Sequence, residues 1–299
     1  MAPLNGAVRY LSAGGVGVCA GATLGLVGWG GAQVIKPSLT SPSLIGCSPL
    51  QATATSLFSL SVAVVAGGSQ FLQAGNVCLP VAAALALPSV LGARWGSRVA
   101  GKLSADQLSL IFNGGSVLLL PTHYLVQHSR RSKQLELEHA PVSDHTRSGA
   151  ECDEAAKLET AMFHIQQPLA LLGHACFGYV TGVLSALMGV GGLPVVMSYL
   201  TLASPLPHHL IQGTAMCSVA PSVLTSALTH VQSGATPLRV AAAVTAGSVT
   251  GVALGAQLAL SLPEQRLREL FMASLVVLGG RSFVGALRNS ANIIRRGAK

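Results

Sequence analysis

The acidic residues of this chain are concentrated in one stretch, and this distribution restricts the fold more than any other feature. Seven of the ten Asp and Glu residues lie between Glu136 and Glu159, and charged residues of both signs make up 9% of the chain. Average soluble domains carry roughly 25%. A soluble protein of this length would need more charge to cover its surface, whereas lipid covers a membrane protein. The chain is therefore predicted to be a multi-pass integral membrane protein of the plasma membrane or an organelle.

Apolar runs long enough to cross a bilayer lie on both sides of this acidic stretch. A spanning helix needs about 20 mostly apolar residues. The criterion predicts an all-α polytopic protein with about eight transmembrane helices, near residues 13–27, 51–71, 77–95, 105–126, 169–188, 211–230, 238–260 and 267–286. Residues 128–167 are predicted to be a charged linker. An N-terminal segment (1–12) and a basic tail (288–299) complete the chain.

Two glycine clusters interrupt apolar runs at corresponding places in the two halves. They are Gly28-Trp29-Gly30-Gly31 and Gly189-Val190-Gly191-Gly192, which lie 161 residues apart. Glycine permits positive φ angles and close approach of backbones. Each cluster is therefore predicted to break a helix or to form a re-entrant segment.

The two halves also match one another over most of their length. At an offset of 161, the matches include Gly17 with Gly178, Gly21 with Gly182, Gln51 with Gln212 and Thr53 with Thr214. At an offset of 159, Gly75, Gly92 and Gly96 match Gly234, Gly251 and Gly255. We therefore predict two homologous four-helix repeats, residues 13–127 and 168–287. Four crossings per repeat would make the halves parallel, and a broken segment counted as a crossing would invert them; the sequence leaves both open.

The predicted substrate site consists of the glycine clusters and the polar residues near them. Free N–H groups at the start of a helix favour an anion, and duplicated transporters bind substrates where their repeats meet. The predicted binding residues are Gly28, Gly30, Gly31, Lys36, Gln51, Thr53, Gly189, Gly191, Gly192, Gln212 and Thr214. Lys36 has two interpretations, a buried functional cation or a side chain that snorkels to the interface. Met197 takes its place in the second half.

Other classes of function find little support in the sequence. The chain has no HExxH, no GxSxG and no paired carboxylates within a predicted span, so no enzyme and no catalytic residue are predicted. The net charge of +8 is scattered and does not form a basic face, which disfavours nucleic-acid binding. No metal site or cofactor is expected. The expected partners are a small anion and the lipid bilayer, and the glycine-rich helix faces leave assembly of identical chains open.

These residues resemble a known family. A glycine cluster after an apolar helix, followed by an apolar run and a threonine-containing helix start, occurs twice and is similar to the TauE/SafE sulfite exporter family. The stronger copy pairs Gly189-Val190-Gly191-Gly192 with Gln212-Gly213-Thr214-Ala215. The resemblance implies a permease that exports sulfite or organic sulfonates by alternating access between its repeats. Leu193 and Ala32 stand where the family has a third glycine. The alternative is a channel-like or accessory membrane protein that assembles with a partner and transports nothing.

Overall fold

The computed structural model of the protein describes residues 6–28, 31–41, 45–103, 107, 168–189, 191–203, 206–271, 273–274 and 277. These residues form helices and contain no strand. The main helices are α1 Gly6–Val27, α2 Gly31–Thr40, α3 Pro49–Gln73, α4 Leu79–Ala100, α5 Pro168–Met188, α6 Leu193–Ala203, α7 His208–Gln232 and α8 Leu238–Ser261. A further helical stretch covers residues 264–271.

Five of these helices are long and apolar enough to cross a membrane: α1, α3, α4, α5 and α8. Large apolar side chains remain exposed along them, such as Leu87 and Leu91 on α4 and Leu254 on α8. In water such a surface would be costly, and in a bilayer it faces acyl chains. The all-helical membrane architecture predicted from the sequence is therefore confirmed for this part of the chain.

Six predicted spans coincide with helices, namely α1, α3, α4, α5, α7 and α8. Of these, α7 is not among the five helices that are long and apolar enough to cross a membrane, so the predicted count of eight spans is not confirmed. The span predicted at residues 105–126 lies almost entirely outside the described residues, as does most of the span at 267–286. The linker at 128–167 and the basic tail at 288–299 lie wholly outside them.

The helices of the first half pack against those of the second in an interlocked arrangement. α1 packs along α8, and α5 packs along α4. Small residues allow these contacts: a Cβ atom on Gly21 would overlap the Ser248 carbonyl oxygen, and one on Gly182 would overlap that of Ser89. This is the close helix approach that glycine permits in membrane proteins. Neither half could adopt this arrangement alone, because each supplies the packing partner of the other.

The direction of each helix follows from its contacts. Gly68 of α3 lies beside Cys217 of α7, and Gly213 near the start of α7 lies beside Phe71 near the end of α3. α3 and α7 therefore cross the centre of the molecule antiparallel. α2 returns along α1, because the chain beyond it reaches Ile45, whose carbonyl accepts a 2.6 Å hydrogen bond from Arg9 Nη2 near the start of α1.

The pattern of buried and exposed residues recurs between the halves. α1 and α5 share it at an offset of 161, and α4 and α8 share it at 159. For α3 and α7 the offset is also 159, since Pro49–Gln73 and His208–Gln232 have the same length and nearly the same burial along them.

The register predicted for the start of α3 and α7 is therefore wrong. The sequence match made Thr53 equivalent to Thr214. The burial pattern of the helices instead makes Thr53 equivalent to Gln212, and Thr55 equivalent to Thr214. The two-residue shift falls in the connections before these helices, residues 41–48 and 204–207, where a change of length does not disturb helix packing.

Candidate functional site

Each glycine cluster separates a long helix from the short helix that follows it. α1 ends at Val27 and α2 begins at Gly31; we call residues 28–31 the first break. α5 ends at Met188 and α6 begins at Leu193; residues 189–192 are the second break. Gly28 has a φ of 69°, and Gly189, Gly191 and Gly192 have φ values of 66°, 81° and 72°. Other residues adopt this region at a cost, so the described glycines allow each chain reversal. Gly30 lies outside the described residues.

Hydroxyl-bearing side chains surround the second break. A side chain on Gly192 would begin 2.8 Å from Thr181 Cγ2 and 3.2 Å from Ser185 Cβ, and one on Gly189 would begin 2.7 Å from Thr53 Cγ2. Thr53, Thr181 and Ser185 are almost fully buried. Within the described part of the chain, their hydroxyl oxygens have no hydrogen-bond partner. Buried hydroxyls normally find a partner, so their presence together beside the glycines marks this region for a polar ligand.

The carboxyl end of α5 is held by two polar side chains from the first half of the protein. Lys36 Nζ donates a 2.7 Å hydrogen bond to the Met188 carbonyl oxygen, and Ser56 Oγ donates a 2.5 Å bond to that of Gly189. The last carbonyls of a helix have no partner within it and carry partial negative charge. Lys36 is only 6% exposed, so its ammonium lies inside the protein and does not snorkel to the interface.

A small cavity lies beside the second break. It is lined by Gln33, Leu184, Ser185, Met188, Gly192, Pro194 and Val195. Its volume is about 10 Å³, which is room for roughly one water molecule. In this conformation the cavity is thus too small for a sulfur oxyanion, and a larger site would require movement of the helices around it.

The first break is filled mainly by apolar groups. A side chain on Gly28 would overlap the Met197 sulfur and approach Gln212 Cγ, and one on Gly31 would meet Leu60 and Leu24. Gln212 is buried, and its Nε2 donates a 2.7 Å bond to the Gly25 carbonyl oxygen. This amide thus serves at the end of α1 as Lys36 and Ser56 serve at the end of α5.

Two predicted binding residues have structural partners elsewhere. Gln51 is exposed and belongs to a capping box at the start of α3, where its Oε1 accepts from Ser48 N at 3.1 Å. Thr214 Oγ1 accepts a 2.9 Å bond from the backbone N–H of Cys78, which precedes α4. Binding roles for these two residues remain predictions, and the structure does not bring Gln51 to either break.

The sequence prediction missed three residues that lie beside the second break: Gln33, Thr181 and Ser185. Thr181 and Ser185 are four residues apart and therefore lie on one face of α5. A signal was present, because the offset of 161 places Ala20 and Leu24 at the corresponding positions of α1. A search for matching residues passes over positions where the two halves differ.

The helices and their apolar surface define a polytopic α-helical membrane protein. A family model described as sulfite exporter TauE/SafE matches residues 13–282, nearly the whole chain. The chain belongs to the TauE/SafE sulfite exporter family, whose members are multi-pass membrane transporters and not enzymes. No match was found among curated proteins or among solved structures.

Proposed function

We propose that this protein transports small sulfur-containing anions, sulfite or organic sulfonates, across its membrane, with export as the direction of transport. The observation that carries the proposal is the second break, where a buried lysine and positive-φ glycines lie beside buried hydroxyls that have no partner among the described residues. Membership of the sulfite exporter family supports the same substrate class.

The chemistry of the second break suits an oxyanion. Sulfite and sulfonates present three oxygen acceptors around one sulfur, and hydroxyls, an ammonium and backbone N–H groups are the donors that such acceptors need. Thr181 and Ser185 supply hydroxyls, and Lys36 supplies the cation. The first N–H groups of α6 have no partner within that helix, and the positive end of the helix favours an anion.

We infer that the two halves are copies of one unit with inverted topology. The recurring burial pattern supports the duplication. The antiparallel crossing of α3 and α7, which occupy corresponding places, supports the inversion, as does the return of α2 along α1. Inverted repeats recur in transporters that rock one part against another around a fixed site. Such rocking would enlarge the small cavity beside Ser185.

A flux experiment tests the proposal directly. The purified full-length chain is placed in liposomes, and uptake of radiolabelled sulfite is followed against empty liposomes, with unlabelled sulfite, a sulfonate and a neutral sugar as competitors. We expect saturable sulfite flux that sulfite and the sulfonate inhibit and the sugar does not. Gly191→Leu should abolish it, because Gly191 has positive φ and faces Leu60 and Val223.

Gly15→Leu is the matched control, since nothing lies within 4 Å of a Cβ atom at Gly15. It should transport like the wild type. Flux equal to that of empty liposomes for sulfite and sulfonate alike would contradict the proposal and favour the accessory-protein alternative. Flux that no competitor saturates would indicate a channel.

A further inference from the structure

We propose that the protein holds a single anion site, at the second break, and that the first break is its non-binding counterpart. The inference rests on the proposed transport function and adds which part of the repeat pair recognises substrate. It departs from the expectation that two equivalent glycine clusters share one central site.

Corresponding side chains beside the two breaks differ in polarity. Gly192 is flanked by Thr181 and Ser185, and Gly31, its counterpart, is flanked by Ala20 and Leu24. These are the same positions of α5 and α1 at the offset of 161. An oxyanion at the second break would therefore meet two hydroxyl donors, while at the corresponding positions of the first break it would meet hydrocarbon, which does not replace its lost hydration.

Two of the residues that reach each break from the opposite half differ in the same direction. Lys36 bonds the end of α5, whereas its counterpart Met197 places an uncharged thioether against Gly28. Ser56 donates to the Gly189 carbonyl, and its counterpart at the corrected offset of 159 is Ala215. Among the described residues, the cation and the extra hydroxyl thus lie at the second break, and the first break has the neutral amide of Gln212 instead.

An independent observation is the small, partly polar cavity beside the second break. The cavity there is lined by Ser185, which is 1% exposed and whose Oγ has no partner within the described residues. Gln33 also lines this cavity, and Pro194, its counterpart, lacks an amide side chain. A buried polar side chain in a cavity, next to the start of α6, is a more specific feature than the helix start alone.

The side chain of Leu60 separates the two breaks. Its Cδ2 lies 2.9 Å from the position of a Cβ atom on Gly31, and its Cδ1 lies 3.3 Å from that on Gly191. Leu60 is fully buried near the middle of α3. Because this apolar side chain stands between the glycines, an anion at the second break does not share donors with the first.

Calorimetric titration of sodium sulfite into the detergent-purified full-length protein tests the inference. We expect one sulfite per chain. Thr181→Val and Ser185→Ala should each weaken binding at least tenfold, and Thr181→Ser, which keeps the hydroxyl, should bind within about threefold of wild type. Met197→Leu at the first break should bind within twofold, because it exchanges one apolar side chain for another of similar size.

The outcomes separate this inference from the transport proposal. Two sulfites per chain, or equal losses in the first-break and second-break variants, would overturn the single site while sulfite flux in liposomes leaves transport intact. Absence of both binding and flux in the wild type would remove the transport proposal and this inference with it. Size-exclusion profiles and thermal unfolding identify a variant that fails to fold, and the Thr181→Ser variant then decides between loss of the hydroxyl and loss of the fold.

Discussion

The two breaks share a backbone plan and differ in what lines it. In each, a long helix ends at a positive-φ glycine, a short helix starts three or four residues later, and a side chain from the other half reaches the helix end. At the second break that side chain is Lys36, and the neighbours are Thr181 and Ser185. At the first it is the neutral amide of Gln212, and the neighbours are Met197, Ala20 and Leu24. The backbone arrangement is thus common to the two breaks, whereas the charged and hydroxyl-bearing side chains lie at the second.

We expect the strongest loss of stability from substitutions at the helix contacts that both halves have in common. Gly21→Ala and Gly182→Ala should both prevent recovery of monodisperse protein, because each new Cβ overlaps the backbone of the neighbouring helix and forces two helices apart. Gly15→Ala, in the same helix as Gly21 but with open space around it, should be neutral or stabilising by about 0.5–1 kcal/mol. Size-exclusion chromatography and thermal unfolding in detergent provide the measurement. A normal profile for only one of the two glycine variants would show that the α1–α8 and α4–α5 contacts are not equivalent.

A second prediction concerns the charged side chain at the second break. Lys36→Met gives the second break the residue found at the first, and we expect sulfite flux to fall at least tenfold. The substitution also removes the hydrogen bond to the Met188 carbonyl at the end of α5, so stability should fall by about 1–3 kcal/mol. Flux in liposomes and thermal unfolding are measured together. Wild-type flux with a strongly lowered unfolding temperature would instead make Lys36 a cap of α5 with no part in transport.

Much of the fold could be predicted from the sequence, because length and apolar character suffice to locate spanning helices and glycine suffices to mark where they break. The register of α3 against α7 could not. Residues 51–54 match residues 212–215 in sequence, and this short match suggested an offset of 161. The burial pattern along the two helices instead fits an offset of 159. The polar residues beside the second break were missed for a related reason. Thr181 and Ser185 differ from their equivalents Ala20 and Leu24, and a search for identical residues in the two halves does not find such positions.

At the offset of 159, Thr214 of α7 corresponds to Thr55 of α3, but the two hydroxyls have different surroundings. Thr214 accepts the N–H of Cys78, while the residue corresponding to Cys78 is Pro237, which has no N–H to offer Thr55. Thr214→Val leaves a buried N–H without its acceptor and should cost about 1–3 kcal/mol. Thr55→Val removes a hydroxyl that has no partner among the described residues and should cost less than about 0.5 kcal/mol. Unfolding of both variants in the same detergent provides the measurement, and equal losses would argue against the register at an offset of 159.

The smallest effect distinguishes Gln51 from Gln212, which the sequence match treated as a pair. Gln51→Ala removes one half of the capping box with Ser48 at the exposed start of α3, so stability should fall by about 0.5–1 kcal/mol with sulfite flux within twofold of wild type. Gln212→Ala removes the buried bond to the Gly25 carbonyl and should lower stability by about 1–3 kcal/mol. The comparison needs flux and unfolding on each variant. A loss of flux in Gln51→Ala without a loss of stability would restore the predicted binding role of Gln51, since a capping residue acts on transport only through the helix that it starts.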